Sequence, residues 1–313
     1  MGAAGAALSG YGKVAGLLHA DEVNHAAGTI SKTSSHGYNL IQGNNLTVTR
    51  VRPKTEVVRE SHSVSEAMED LRRLGEERLG KADLNSGLEY GTIAISKYRR
   101  TDGTNSWLVT IPGTDGKRDS PFGWPQNVEL MSSDSKQRME ADSARMVQEA
   151  MKQAGINSDE PVALIGHSQG GIVAATIASD LKDDYDVKHV VTAGSPVANH
   201  PIPDKTWVTS VEMDDELVAA LDGAPNPNSE HWLTVRGTAS KSDNNPKSTF
   251  AGTPVIDAPD NKEITHWLKY HQAAYQNATD MGSSAVKTHE RHFDEILDGD
   301  LQEVMYFEGR MSK

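Results

Sequence analysis

Cysteine is absent from all 313 residues. That excludes disulfide scaffolds, thiolate metal sites and cysteine nucleophiles, and leaves the redox compartment open. Positive charge is in short supply: 31 Lys and Arg face 44 Asp and Glu, a net charge of -13. Such a surface argues against nucleic-acid partners and against electrostatic docking on anionic membranes. No stretch approaches the roughly 18 apolar residues of a membrane span. Aromatic residues are only 5% of the chain, and no strongly apolar segment stands out as a lid. Residues 1–18 are rich in Gly and Ala but lack the basic start and compact apolar run of a signal peptide. The expectation is a soluble protein, leaning cytoplasmic, with export by another route left open. A His-Glu-x-x-His pattern and a compact carboxylate cluster are also missing, so neither a metal nor another cofactor is expected.

What is present suits a globular enzyme. The length allows one large α/β domain or two smaller ones, with a substantial core. Residues 1–45 are Gly-, Ala-, Ser- and Asn-rich with little periodicity, and read as a flexible or loosely helical arm. Residues 46–313 then read as a single domain. Strand patterns occur at 46–52, 90–98, 107–111, 162–165, 187–193, 207–213 and 231–236, and helical patterns at 63–79, 135–154, 172–181, 266–281 and 284–297. Asp102-Gly103 marks a hairpin between the second and third strands. A polar segment, 238–262, separates the last strand from the last two helices. A hairpin followed by alternating helices and strands predicts a mixed, mostly parallel sheet with helices on both faces.

The most informative stretch runs from Pro161 to Gly171. A short apolar strand leads into Gly166-His-Ser-Gln-Gly170, and an apolar helical run follows. A strand-turn-helix with serine at its apex is the arrangement of a nucleophile elbow, which lifts the hydroxyl above the sheet edge. The flanking residues must be small because strand and helix nearly touch there, and Gly166, Gly170 and Gly171 meet that need. The bland alternative is a Gly-rich βα turn whose serine only caps a helix.

A serine hydroxyl needs a base, a carboxylate to orient the base, and amides to hold an oxyanion. On such a sheet the partners follow in the order serine, acid, histidine. The strand at 207–213 runs into Asp214, Asp215 and Glu216. Asp215 is the expected acid, with Glu216 a close second and Asp214 also open. Of the later histidines, His266 follows the polar segment at the start of a helix and is the expected base. His271 reads as too far into that helix, His289 and His292 as surface, and His231 as the opening of a strand. The Gln169 amide and the Thr114 amide, on the loop Ile111-Pro-Gly-Thr-Asp-Gly116, are the expected oxyanion donors.

Gly113-Thr-Asp115 after an apolar strand, Trp124 and Asn127, Gly166-His-Ser-Gln-Gly170, Thr192-Ala-Gly-Ser-Pro196 and Asp215-Glu-Leu-Val218 together resemble the fungal-type (class 3) lipase group of α/β-hydrolases and its bacterial relatives, over roughly residues 90–280. The resemblance implies the α/β-hydrolase fold, a Ser–Asp–His triad and hydrolysis of esters, often lipid esters. The family spacing of acid to Val218 favours Glu216, and Pro112 stands where the family carries arginine. The expected partner is a small-molecule or lipid ester, cleaved through an acyl-enzyme. An acyltransferase or thioesterase would use the same residues, and a binding module that has lost the chemistry would keep the same fold.

Overall fold

In a computed structural model of the chain, residues 42–214, 216, 218–238, 248–250, 253–255 and 266–313 are described. Eight strands form one sheet: β1 (Asn45–Val51), β2 (Thr92–Arg99), β3 (Asn105–Ile111), β4 (Pro161–His167), β5 (Asp186–Ala193), β6 (Trp207–Met213), β7 (Trp232–Gly237) and β10 (Asp300–Ser312). Two short strands, β8 (Ser248–Phe250) and β9 (Thr253–Val255), pair antiparallel by themselves. The large sheet has the order β1-β10-β2-β3-β4-β5-β6-β7. From β3 to β7 every pair is parallel; from β1 to β3 every pair is antiparallel. This is the α/β-hydrolase fold expected from the alternating pattern.

The helices are α1 (Val64–Glu77), α2 (Trp124–Leu130), α3 (Ser135–Glu140), α4 (Asp142–Ala154), α5 (Gln169–Asp180), α6 (Leu268–Asp280) and α7 (Ser284–Ile296). They cover both faces, and the pleat sorts side chains between two cores. Trp107, Val109, Val162 and Leu164 pack with α4 and α5, whereas Leu108, Ala163 and Ile165 pack with α1, α6 and α7. Strand β4 is therefore apolar on both sides and reads as a continuous run rather than an alternation. Helix α5 is buried along almost its whole length, which matches a sequence apolar all round. Arg138 of α3 clamps the far end of α5 with two hydrogen bonds to Asp180, at 2.8 and 2.6 Å.

Four features depart from the pattern reading, the first being the β8–β9 pair inside the polar segment 238–262. The helix expected over 135–154 is broken at Ala141, whose extended backbone ends α3 and opens α4. Helix α2 forms where the sequence pattern announces no helix. Strand β10 was also not expected, although it inserts between β1 and β2 and completes the sheet. Of the N-terminal arm, residues 1–41 lie outside the described residues, as does most of the polar segment 238–262. No described helix is long and apolar enough to cross a membrane.

Candidate active site

Strand β4 delivers Ser168 to the C-terminal edge of the sheet. Its backbone has φ 54 and ψ -122, and Asn85 is the only other described non-glycine residue with positive φ. Holding serine there costs on the order of 1–3 kcal/mol, so its surroundings must impose it. The Ser168 amide donates to the Ala193 carbonyl at 2.9 Å, and the Ser168 carbonyl accepts from Ser195 Oγ at 2.8 Å. The end of β5 thus grips both sides of the apex. The glycines fill the role the sequence assigns them: a Cβ on Gly166 would strike the Gly170 backbone, and one on Gly170 would strike the Ile111 carbonyl.

Ser168 Oγ lies 2.8 Å from His266 Nε2, and His266 Nδ1 lies 3.1 Å from Glu216 Oε1. A carboxylate only accepts, so Nδ1 carries the proton and Nε2 is left to accept from the serine hydroxyl. The expected acid Asp215 lies outside the described residues. Its neighbour Glu216, buried three residues past the end of β6, is the carboxylate that meets the histidine. Burial alone would raise the Glu216 carboxyl, but the close contacts of His266 and His271 outweigh it and hold the group at about 2.

Two further histidines belong to this cluster, and the sequence reading missed both. His271, one turn into α6, is fully buried with Nε2 2.8 Å from Glu216 Oε2. The approach is bent away from an ideal hydrogen bond. A signal did exist: side chains of a helix tilt toward its N-terminus, which swings a first-turn histidine back to the site. His167, beside the serine, bonds through Nε2 to the His266 carbonyl at 2.7 Å and pins the base's backbone. Burial first, then the nearness of His266 and His271, pushes His167 well below its ordinary value, so this ring is neutral. Gly194, at φ 59, underlies the cluster; a Cβ there would lie 2.8 Å from Glu216 Oε1, 2.8 Å from His271 Nε2 and 3.0 Å from His266 Nδ1.

The loop after β3 closes over the other side of Ser168. A Cβ on Gly113 would lie 3.1 Å from the Ser168 Cβ, so this backbone passes directly over the nucleophile position. Thr114 Oγ1 accepts from Asn127 Nδ2 at 3.2 Å and Gln169 Nε2 at 3.4 Å, and Gln169 Nε2 also reaches the Gly123 carbonyl at 2.7 Å. From below, Arg78, which caps the C-terminus of α1, donates to the Gly113 carbonyl and pairs with the buried Asp115 at 3.5 Å. Burial lowers the Arg78 guanidinium to about 10 against the opposing pull of Asp115, so it stays charged at neutral pH. Pro112 has no amide proton to give, so a backbone donor from this loop has to come from another of its residues.

His289 and His292 are corrected by the structure. His289 is buried rather than on the surface, and His292 is half-buried, stacked on Trp207 with ring centroids 4.2 Å apart. His189 and Phe293 draw α7 onto the sheet through this face. Among the described residues no group of three or more His, Asp or Glu is arranged to hold a metal ion.

Residues 127–253 match the PGAP1-like alpha/beta domain, a family of the alpha/beta-hydrolase superfamily. The match covers less than half of the chain; it includes Ser168 and Glu216 and stops short of His266. It supports the superfamily and hydrolase chemistry, and does not point to the fungal-type lipase group that the motifs resemble. No curated protein matches the chain.

Proposed function

We propose that the protein is a serine ester hydrolase of esterase or lipase type, working through an acyl-enzyme on Ser168. One observation carries the reading: a strained serine whose Oγ lies 2.8 Å from His266 Nε2, with Glu216 3.1 Å from the other ring nitrogen. His266 takes the Ser168 proton as the hydroxyl attacks the ester carbonyl. Glu216 holds the ring in the reactive tautomer and stabilises the imidazolium that forms. The Gln169 and Thr114 amides hold the oxyanion. His266 then returns the proton to the departing alcohol, and water releases the acid by the same steps in reverse order of roles. The half-exposed Trp267, next to His266, offers an apolar surface to one side of the ester.

The test is hydrolysis of p-nitrophenyl esters from acetyl to palmitoyl, with wild type beside Ser168→Ala. Turnover is expected to fall at least 10³-fold in the variant with the unfolding midpoint unchanged. Labelling of Ser168 by a fluorophosphonate, which needs an activated serine, is expected in wild type only. Retained turnover in Ser168→Ala would sink the mechanism. Labelling without hydrolysis of any ester would move the reading to acyl transfer or thioester cleavage.

A further inference from the structure

His271 faces two acceptors and has one proton too few if its ring is neutral. Nδ1 lies 3.1 Å from the Trp267 carbonyl, which can only accept. Nε2 lies 2.8 Å from Glu216 Oε2, also an acceptor when ionised. The ring is fully buried, and neither Nε2 nor Oε2 has a hydrogen-bond partner among the described residues. In a neutral ring one of these contacts would set lone pair against lone pair in a site that water does not reach. We propose that His271 is a positioning residue held as a buried imidazolium, protonated on both nitrogens, which clamps Glu216 in its ionised form and aims it at His266.

The surroundings fit one buried cation. His167 from β4 has its ring centre 5.8 Å away and is neutral; His266 before α6 is 6.3 Å away. From β6, Glu212 adds a second acid nearby, itself engaged by Asn226 and Arg236. Gly194 leaves the space in which Glu216 reaches both rings.

The consequence concerns the base, and rests on the triad proposed above. Glu216 already carries one cation at rest. When His266 takes the serine proton, a second imidazolium forms beside the first, and like charges disfavour one another. His271 thereby weakens His266 as a base and strengthens it as the acid that protonates the leaving alcohol. The cluster is set toward leaving-group departure.

Two readouts test this on the full chain. In wild type with ¹⁵N-labelled histidine, one ring in contact with Trp267 is expected to keep both nitrogens protonated at about pH 8, where an ordinary histidine is neutral. In His271→Gln, which keeps a neutral donor, the acid limb of the kcat/KM profile on p-nitrophenyl acetate is expected to move up by about one pH unit. Its kcat is expected to fall roughly tenfold as Glu216 loses its aim. A neutral His271 in the spectrum, or an acid limb unmoved in the variant, overturns the proposal. The spectrum is taken on wild type, so a variant that fails to fold does not remove the test. A doubly protonated His271 in a protein whose Ser168 resists fluorophosphonate would sink the hydrolase reading and leave the imidazolium standing.

Discussion

The same strands carry a histidine cluster at each end, and the two behave as opposites. At the C-terminal edge His167, His266 and His271 surround Glu216. Toward the N-terminal end His189, His289 and His292 surround Thr209 and Trp207, with His231 stacked on the other side of that indole. In both, one oxygen-bearing side chain on or just after β6 sits between two imidazoles. Thr209 Oγ1 is 2.8 Å from His189 Nε2 and 3.0 Å from His289 Nδ1, as Glu216 lies between His266 and His271. A hydroxyl can donate to one ring and accept from the other, so both rings stay neutral. A carboxylate can only accept, so a ring that bonds to it must turn a protonated nitrogen toward it. Burial, followed by mutual repulsion, pushes His189 well below its ordinary value and His292 down to about 4. Crowding and burying histidines does not make a base; an anion among them does.

The largest expected effect comes from making the two ends alike. Glu216→Gln gives the reactive end a neutral oxygen of the kind found at the other. The tautomer of His266 is then no longer fixed, and kcat on p-nitrophenyl acetate is expected to fall roughly 10³–10⁴-fold, the scale found when a protease triad acid becomes its amide. A loss under about tenfold would return the acid's role to Asp215. A smaller effect is expected at the far end. Thr209→Val strands the ring nitrogens of His189 and His289 in a buried place, which costs about 1–3 kcal/mol in urea unfolding. Turnover should stay within about twofold, since the hydroxyl lies at the opposite end of the strand from Ser168. A large loss of kcat there would mean that the two clusters are coupled.

The contrast also explains what a linear reading could reach. Ser168 and His266 are legible because the elbow is a local pattern and the chain order of its partners is constrained by the fold. The acid is harder. Asp214, Asp215 and Glu216 are adjacent, and which of them turns inward depends on how the chain leaves β6, a detail no periodicity encodes. His271 looks misplaced along the helix because distance in sequence is a poor measure of distance in space; its tilt toward Trp267 brings it back. His289 looks like surface because charged neighbours flank it on α7, yet the face that packs on β5 to β7 is set by tertiary contact. Strand β10 is a further case. Its partners β1 and β2 lie about 200 or more residues away in sequence, and nothing local announces that the chain returns between them.

The smallest effect concerns pH and stability. Folded His292 titrates at about 4 against an ordinary 6.5, so between these values the unfolded chain binds a proton that the folded protein refuses. Its contribution is full above about 6.5 and is lost as pH falls toward 4. His292→Phe keeps an aromatic ring on Trp207 and removes the proton. The variant should lose less stability than wild type over that window and match its slope above pH 7; because the ring is only half-buried, solvent screening keeps the difference small. The remaining fall belongs to His189 and His289, both lowered chiefly by burial. Glu216 works in a lower window, full above its ordinary 4.5 and lost toward about 2. Urea unfolding at several pH values separates the two, because the histidine end gives way first as the solution is acidified. An identical slope in His292→Phe and wild type between 6.5 and 4 would mean that this ring is already charged in the folded protein, and the opposition between the two ends would fail.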